Sequence, residues 1–171
     1  RLMISNNFDL EFINGFQSLQ TITTDLIIDG NVFLESITGF AVLATVGGDL
    51  EISDSEDLVS VSGFTALHSI TGALLLSTES NACTVNGFYT LDSVGDDMTI
   101  DGNFNLGNGL FPSLSTIAGM LSITNCGALQ LNSFANLSTV PEMEIINNGL
   151  FSITGFENLL TIEDILIQGN T

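Results

Sequence analysis

The apolar residues of the chain form short groups, L-x-I and L-x-x-I, that return at a nearly fixed interval. An L-x-I group places two side chains on one face of a β-strand and the middle side chain on the other. These spacings are too short for the continuous stripe of an amphipathic helix. Because Gly, Asn, Asp, Ser and Thr separate the groups as turns require, we expect strands at residues 26–28, 50–52, 74–76, 98–100, 121–123, 143–145 and 165–167.

One phenylalanine marks each repeat, at steps of 22 to 24 residues. A fixed period of this length predicts a solenoid, in which every repeat adds one coil to a continuous core. We therefore predict one domain over residues 1–171, a mainly β, right-handed parallel β-solenoid of about seven coils of 22–24 residues. Its inward columns should include Phe16, Phe40, Phe64, Phe88, Phe111, Phe134 and Phe156.

The best-formed repeats are GFQSLQTITTDLIIDGNVFLESIT at residues 15–38 and GFAVLATVGGDLEISDSEDLVSVS at residues 39–62. Their phrases LxxIxGDLxI and LxxIxGF resemble the receptor L-domain type of leucine-rich repeat, over nearly the whole chain. That type occurs in insulin-receptor and EGF-receptor ectodomains and in secreted wall and surface proteins. The resemblance implies a cell-surface solenoid, and the receptor members bind proteins on a solenoid face. This chain differs from the receptors, because it has only two cysteines and no Cys-rich module.

The charge balance is strongly acidic: 20 Asp and Glu residues oppose one basic side chain, Arg1, for a net charge of −19. Nucleic-acid binding is excluded because phosphate contacts need Lys and Arg, and anionic membrane surfaces are disfavoured. No run of about 18 apolar residues exists to span a bilayer. Acidity and abundant Ser, Thr and Asn favour an extracellular protein. The sequon at Asn136 adds a candidate glycosylation site, with a chance match as the alternative.

Carboxylates are the only candidate metal ligands. Stacked coils should place Asp25 over Asp49, and one loop concentrates Asp54, Glu56 and Asp57. Hard cations such as Ca²⁺ bind oxygen ligands of this kind, so Ca²⁺ is the one candidate cofactor. The spacing matches no known calcium-binding repeat, and the alternative is a solvated acidic face suited to saline water.

Nothing in the sequence is typical of an enzyme. His68 stands in an outward column without the nucleophile and orienting group that a catalytic base needs. We expect a surface histidine and no catalysis. Exposed aromatic residues would favour glycan binding, and Tyr89, Phe33 and Phe104 are the candidates.

Two polar columns accompany the apolar ones. Hydroxyl residues form a complete column, for which we prefer a structural ladder over a surface that binds ice or mineral: Thr21, Thr45, Ser69, Ser93, Thr116, Thr139 and Thr161. Asparagines at strand ends should satisfy backbone groups at the corners: Asn7, Asn31, Asn103, Asn125, Asn147 and Asn170.

The two cysteines, Cys83 and Cys126, lie in different columns and nearly two coils apart. Their separation of about 9 Å along the axis exceeds what a disulfide permits. We expect either buried thiols or a disulfide to a second chain.

The ends of the chain suggest an assembly role. The first residues and the last residues both follow the strand pattern. The first half-coil lacks the G-F-x-x-L segment and the last half-coil lacks the L-x-x-I segment, so the two half-coil deficits look complementary. Uncapped solenoid ends expose the core and unpaired strand edges. We expect an extracellular structural protein that stacks end to end into a filament, with self-association or another surface protein as its partner. The alternatives are a binding or adhesion module that recognises a protein or glycan on its sheet face, and caps that lie outside this chain. The expected interface comprises Leu2, Met3, Ile4, Ile27, Ile165, Leu166 and Ile167.

Overall fold

The computed structural model of the chain describes residues 1–78, 83–102, 109–127, 130–150 and 152–170. Within these ranges the regular structure consists of parallel β-strands, without a helix. None of the described elements is therefore a helix of the length and apolarity that crossing a bilayer requires. The strands wind into a β-solenoid, and the prediction of a mainly β, parallel solenoid is confirmed.

The described residues contain nineteen β-strands. In chain order they are β1 (Leu2–Ser5), β2 (Phe12–Ile13), β3 (Thr21–Ile22), β4 (Leu26–Asp29), β5 (Ser36–Ile37), β6 (Thr45–Val46), β7 (Leu50–Ser53), β8 (Ser60–Val61), β9 (Ser69–Ile70), β10 (Leu74–Thr78), β11 (Thr84–Val85), β12 (Ser93–Val94), β13 (Met98–Gly102), β14 (Thr116–Ile117), β15 (Met120–Thr124), β16 (Gln130–Leu131), β17 (Glu142–Ile146), β18 (Ser152–Ile153) and β19 (Asp164–Gln168).

The solenoid has three faces, and each of the first four coils contributes one strand to every face. Sheet A is the widest and has eight strands in the order β1-β4-β7-β10-β13-β15-β17-β19. Sheet B has the order β11-β8-β5-β2, and β16 pairs with β18 separately. Sheet C has the order β14-β12-β9-β6-β3 and continues through bridges at Thr139 and Thr161.

The register of sheet A shows the repeat directly. Leu2 pairs with Leu26, and the steps of 24 residues continue to Met98. The step then falls to 23 at Leu121 and to 22 at Met143. Period-2 alternation sends Leu26 and Ile28 into the core and leaves Ile27 on the outer face. We count the successive coils as levels, starting from β1.

The phenylalanine column forms the corner between sheets B and C. Neighbouring rings are 5.1 to 5.7 Å apart between centroids and mostly near-parallel. Phe40, Phe64, Phe88, Phe111 and Phe134 are fully buried. Each such pair adds about 0.5–1.5 kcal/mol beyond the burial of its area.

The two ends of the solenoid are unequal in one respect. Sheet A holds eight strands, whereas the phenylalanine column holds seven rings. The last strand, β19, therefore extends one level beyond the other two faces.

Candidate functional site

An aspartate column borders sheet A just before each strand. Carboxylate Oδ1 of Asp49 accepts the backbone N–H of Ala73 on the next level at 2.9 Å, and Asp97 accepts that of Met120 at 2.8 Å. Asp25 accepts the N–H of Asp49 at 3.3 Å. These side chains therefore satisfy the backbone of the neighbouring coil, a role that charge spacing alone did not reveal.

Each of these aspartates requires a glycine above it. A Cβ at Gly72 would collide with the Asp49 carboxylate and the adjoining backbone, and Gly48 and Gly119 stand in the same relation to Asp25 and Asp97. One coil has Ala73 in place of the aspartate, and the next coil then has Asp96 in place of the glycine. The Gly-Asp pair of the repeat thus couples two coils. The sequence signal that could have identified this contact is an Asp of one coil in register with a Gly of the next coil.

The predicted Ca²⁺ ligands do not converge. Asp25 is engaged by the Asp49 backbone and by Arg1, whose Nε lies 3.7 Å from its Oδ2. Asp54, Glu56 and Asp57 are exposed on one turn, where Asp54 has a positive φ of 46°. Within the described ranges, no three His, Cys, Asp or Glu side chains are grouped to hold a metal ion. Ca²⁺ binding stays a prediction.

The asparagine column runs inside the corner after sheet A. Buried Asn31 donates from Nδ2 to the Ile4 carbonyl at 2.8 Å and accepts the Asn7 backbone N–H at 3.0 Å. Asn170 repeats both bonds with Ile145 and Asn148, each at 2.9 Å. The expectation for these corner residues is therefore confirmed.

Two other asparagines were assigned to the wrong column. Asn125 and Asn147 adopt left-handed backbone with φ of 54° and 55°, one residue before the corner. Cys126 and Asn148 hold the inward positions instead, and the Cys126 N–H donates to Asn148 Oδ1 at 2.8 Å. Asn tolerates positive φ unusually well, which explains why sequence alone did not separate the two columns. Asn103 lies outside the described residues.

Both cysteines are buried, and a disulfide to a second chain stays a prediction. Burial raises the pKa of the Cys83 thiol to about 12, so it is protonated at neutral pH and a poor nucleophile. A disulfide to a second chain would require the coil to open first.

The remaining predicted positions lie on the surface. His68 is exposed, with Nδ1 3.3 Å from the Thr90 carbonyl. Asn136 is exposed, and its Nδ2 donates to the Pro112 carbonyl. In the hydroxyl column, Thr45 donates to Thr21 at 3.4 Å, but no other side-chain hydrogen bond joins neighbouring levels of that column among the described residues. The ladder of side-chain hydroxyl groups is therefore weaker than expected, and a surface that binds ice or mineral stays the untested alternative.

The predicted assembly residues lie at the two end levels, Ile27 excepted. Met3 is 53% exposed on the outer face, whereas Leu2 and Ile4 are half-buried. Ile165 and Ile167 belong to inward columns, yet they are 48% and 49% exposed; β19 is the last strand of sheet A among the described residues. Leu166 is exposed and Ile27 is half-buried one level in.

The half-coil deficits of the two ends are not complementary. β19 already extends one level beyond the phenylalanine column. If β1 of a second copy continued sheet A beyond β19, neither copy would supply a phenylalanine at the level of β19. The repeat pattern of the sequence indicates which segments each end lacks, but only the stacked coils show at which level those segments are missing.

An acidic–aromatic corner joins sheets A and B at the first three levels, formed by turns 7–11, 31–35 and 55–59. The turns share one conformation, closed by backbone bonds such as Leu34 N–H to the Asn31 carbonyl at 2.9 Å. Glu35 N–H donates to the Glu11 carbonyl at 2.8 Å, and Asp57 N–H to that of Val32 at 3.1 Å. The residues of these turns that lie exposed are Asn7, Phe8, Asp9, Glu11, Phe33, Glu35, Glu56, Asp57 and Val59.

Phe33 is the centre of this corner and is 54% exposed. The 24-residue register puts Asp9 on the level below it and Asp57 on the level above. Phe8 and Val32 also line a shallow cleft of about 200 Å³ with Asp54 and Glu56. The sequence pointed to Phe33 as a single aromatic residue, because Phe8 and the carboxylates surround it only after stacking. Phe104 lies outside the described residues, and Tyr89 is exposed elsewhere.

Comparison of the sequence with protein-family models, with curated proteins and with solved structures gives no match.

Proposed function

We propose that the protein is an extracellular structural solenoid of the receptor L type that assembles end to end. The observation that carries the proposal is the half-exposure of Ile165 and Ile167, which belong to columns that are buried at every interior level. Apolar area left in water favours association, at about 25 cal/mol per Å² removed. The repeat motifs and the acidic composition support the family and the location.

The register of sheet A supports a defined junction. If β1 of a second copy pairs with β19, Leu2 continues the column of Ile165 and Ile4 that of Ile167. Met3 would then lie beside Leu166, and both are exposed apolar side chains on the outer face. A head-to-tail contact of this kind does not close on itself and generates a filament.

Two polar columns would also continue across this junction. Arg1 precedes Leu2 as Asp164 precedes Ile165, so the chain's only Arg would meet a carboxylate of the neighbour as it meets Asp25 within its own chain. Asn7 would donate to the carbonyl of Ile167 and accept the N–H of Asn170, repeating the bonds of the interior asparagines.

The open phenylalanine corner limits the strength of such a junction. Sheet A continues, but the level between Phe156 and the next copy's Phe16 stays unfilled. We therefore expect reversible, concentration-dependent polymers. Light scattering with size-exclusion chromatography, and electron micrographs at high concentration, test this directly.

The decisive variants change residues of the junction. Ile167→Asp should abolish polymers, whereas Thr99→Asp, which adds the same charge at the centre of sheet A, should not. Arg1→Asp and Asp164→Arg should each weaken assembly, and the two together in one chain should restore it. A wild-type chain that stays monomeric at high concentration would overturn the proposal.

A binding or adhesion module is the second candidate function. The acidic–aromatic corner favours it, because exposed aromatic side chains with charged neighbours are typical of recognition surfaces.

A further inference from the structure

We infer that the acidic–aromatic corner is a docking site for a cationic polypeptide segment, one that presents Lys or Arg side chains. The site lies on the side of the solenoid, and only its first turn, 7–11, adjoins the end-to-end junction. The inference does not depend on assembly, because binding is tested on the monomeric chain. Its centre is Phe33, with Asp9 and Asp57 on the two adjoining levels.

The chemistry of the corner matches a positive side chain. An ammonium or guanidinium group over the Phe33 ring gains a cation–π contact. From that position carboxylates of the levels above and below can form ion pairs with the same group. Six carboxylates belong to the three turns or their edge, and no basic residue offsets them: Asp9, Glu11, Glu35, Asp54, Glu56 and Asp57.

The regular stacking of the coils suits an extended segment. Glu11 and Glu35 are joined through their backbones on successive levels, as are Glu35 and Val59. Levels are about 4.8 Å apart, and alternate residues of an extended chain are about 6.6 Å apart. The difference of about 1.8 Å per level is within reach of the long, flexible Lys and Arg side chains, so a segment that runs across the turns can place successive cations against successive levels.

Other occupants fit less well. A second copy of this chain brings only Arg1 as a basic residue, which cannot match several carboxylates. A neutral glycan could stack on Phe8 or Phe33, but it gains nothing from the charge. A basic segment relieves the mutual repulsion of the carboxylates, so charge complementarity favours it.

The test uses a fluorescent peptide of alternating Arg and Gly, with citrulline in place of Arg as the neutral control. Binding is followed by anisotropy at protein concentrations where the chain is monomeric, at several salt concentrations. The variants are Phe33→Ala and the triple change Asp9→Asn, Glu35→Gln, Asp57→Asn. The matched controls are Tyr89→Ala, another exposed aromatic residue, and the triple change Glu142→Gln, Glu144→Gln, Glu163→Gln.

We expect Phe33→Ala to weaken binding about 3- to 5-fold, the size of an exposed cation–π contact. The corner triple variant should weaken it about tenfold or more, with both controls within about twofold and no binding of the citrulline peptide. Equal losses in the two triple variants would reduce the effect to net charge and overturn the inference. Equal binding of the citrulline peptide, or Phe33-dependent binding of cellohexaose alone, would overturn it as well.

Discussion

The inward apolar columns and the polar columns beside sheet A obey different rules, although both repeat along the same coils. In the apolar columns one side chain replaces another of similar volume: Met98 stands where the lower coils carry leucine, and it is fully buried. In the aspartate column a residue on one level determines its neighbour on the next, as Asp49 determines Gly72.

This difference follows from the forces involved. Burial depends on area and volume and has little direction. A hydrogen bond between a carboxylate and a backbone N–H has a preferred length and angle. The apolar columns therefore set the stability of the solenoid, and the polar columns set the register between coils.

The largest expected effect lies in the apolar columns. Phe64→Ala should lower the free energy of unfolding by about 3–5 kcal/mol, because it removes a buried ring and leaves a cavity between neighbours 5.3 and 5.1 Å away. Chemical denaturation measures it, with exposed Tyr89→Ala as the control. A loss no larger than that of the control would mean that the column is not the main source of stability.

A smaller effect is expected where two coils meet. Gly72→Ala should cost about 2 kcal/mol, because the new methyl group overlaps the Asp49 carboxylate. The double variant Asp49→Ala, Gly72→Ala should lose less than the sum of the two single variants. Gly15→Ala, where a Cβ meets no atom within 4 Å, is the matched control. Strict additivity would show that the two positions are not coupled.

Alkaline pH should destabilise the fold through a buried thiol. The pKa of Cys83 is raised in the folded chain from 9.0 to about 12, so its contribution is complete below pH 9 and is lost as the pH rises toward 12. Because the unfolded chain ionises first, stability should fall by about 1.4 kcal/mol at pH 10. Melting curves of the wild type and of Cys83→Ala should diverge above pH 9; parallel curves would contradict the assignment.

The smallest expected effect concerns Ca²⁺. Carboxylates crowded at Asp54, Glu56 and Asp57 should bind it weakly, adding about 0.4 kcal/mol when the Ca²⁺ concentration equals the dissociation constant. Melting temperatures with millimolar CaCl₂ should exceed those in NaCl of equal ionic strength, and the variant Asp54→Asn, Glu56→Gln, Asp57→Asn should lose the excess. Equal shifts in both salts would leave only screening.

The sequence alone determined the period, the phenylalanine column and the strands of sheet A. Their spacing along the chain is itself the pattern, since burial repeats at the same point of every coil. The sequence also indicated Phe33 as a candidate exposed aromatic residue and the acidic loop of Asp54, Glu56 and Asp57.

Only the tertiary structure decided which residues meet across levels. Asp49 accepts the N–H of Ala73, 24 residues later, and Phe33 comes to lie between the levels of Asp9 and Asp57. It also showed that sheet A has one level more than the phenylalanine column. A hydrogen bond depends on distances of a few tenths of an ångström, and residues of different coils acquire such distances only when the coils stack.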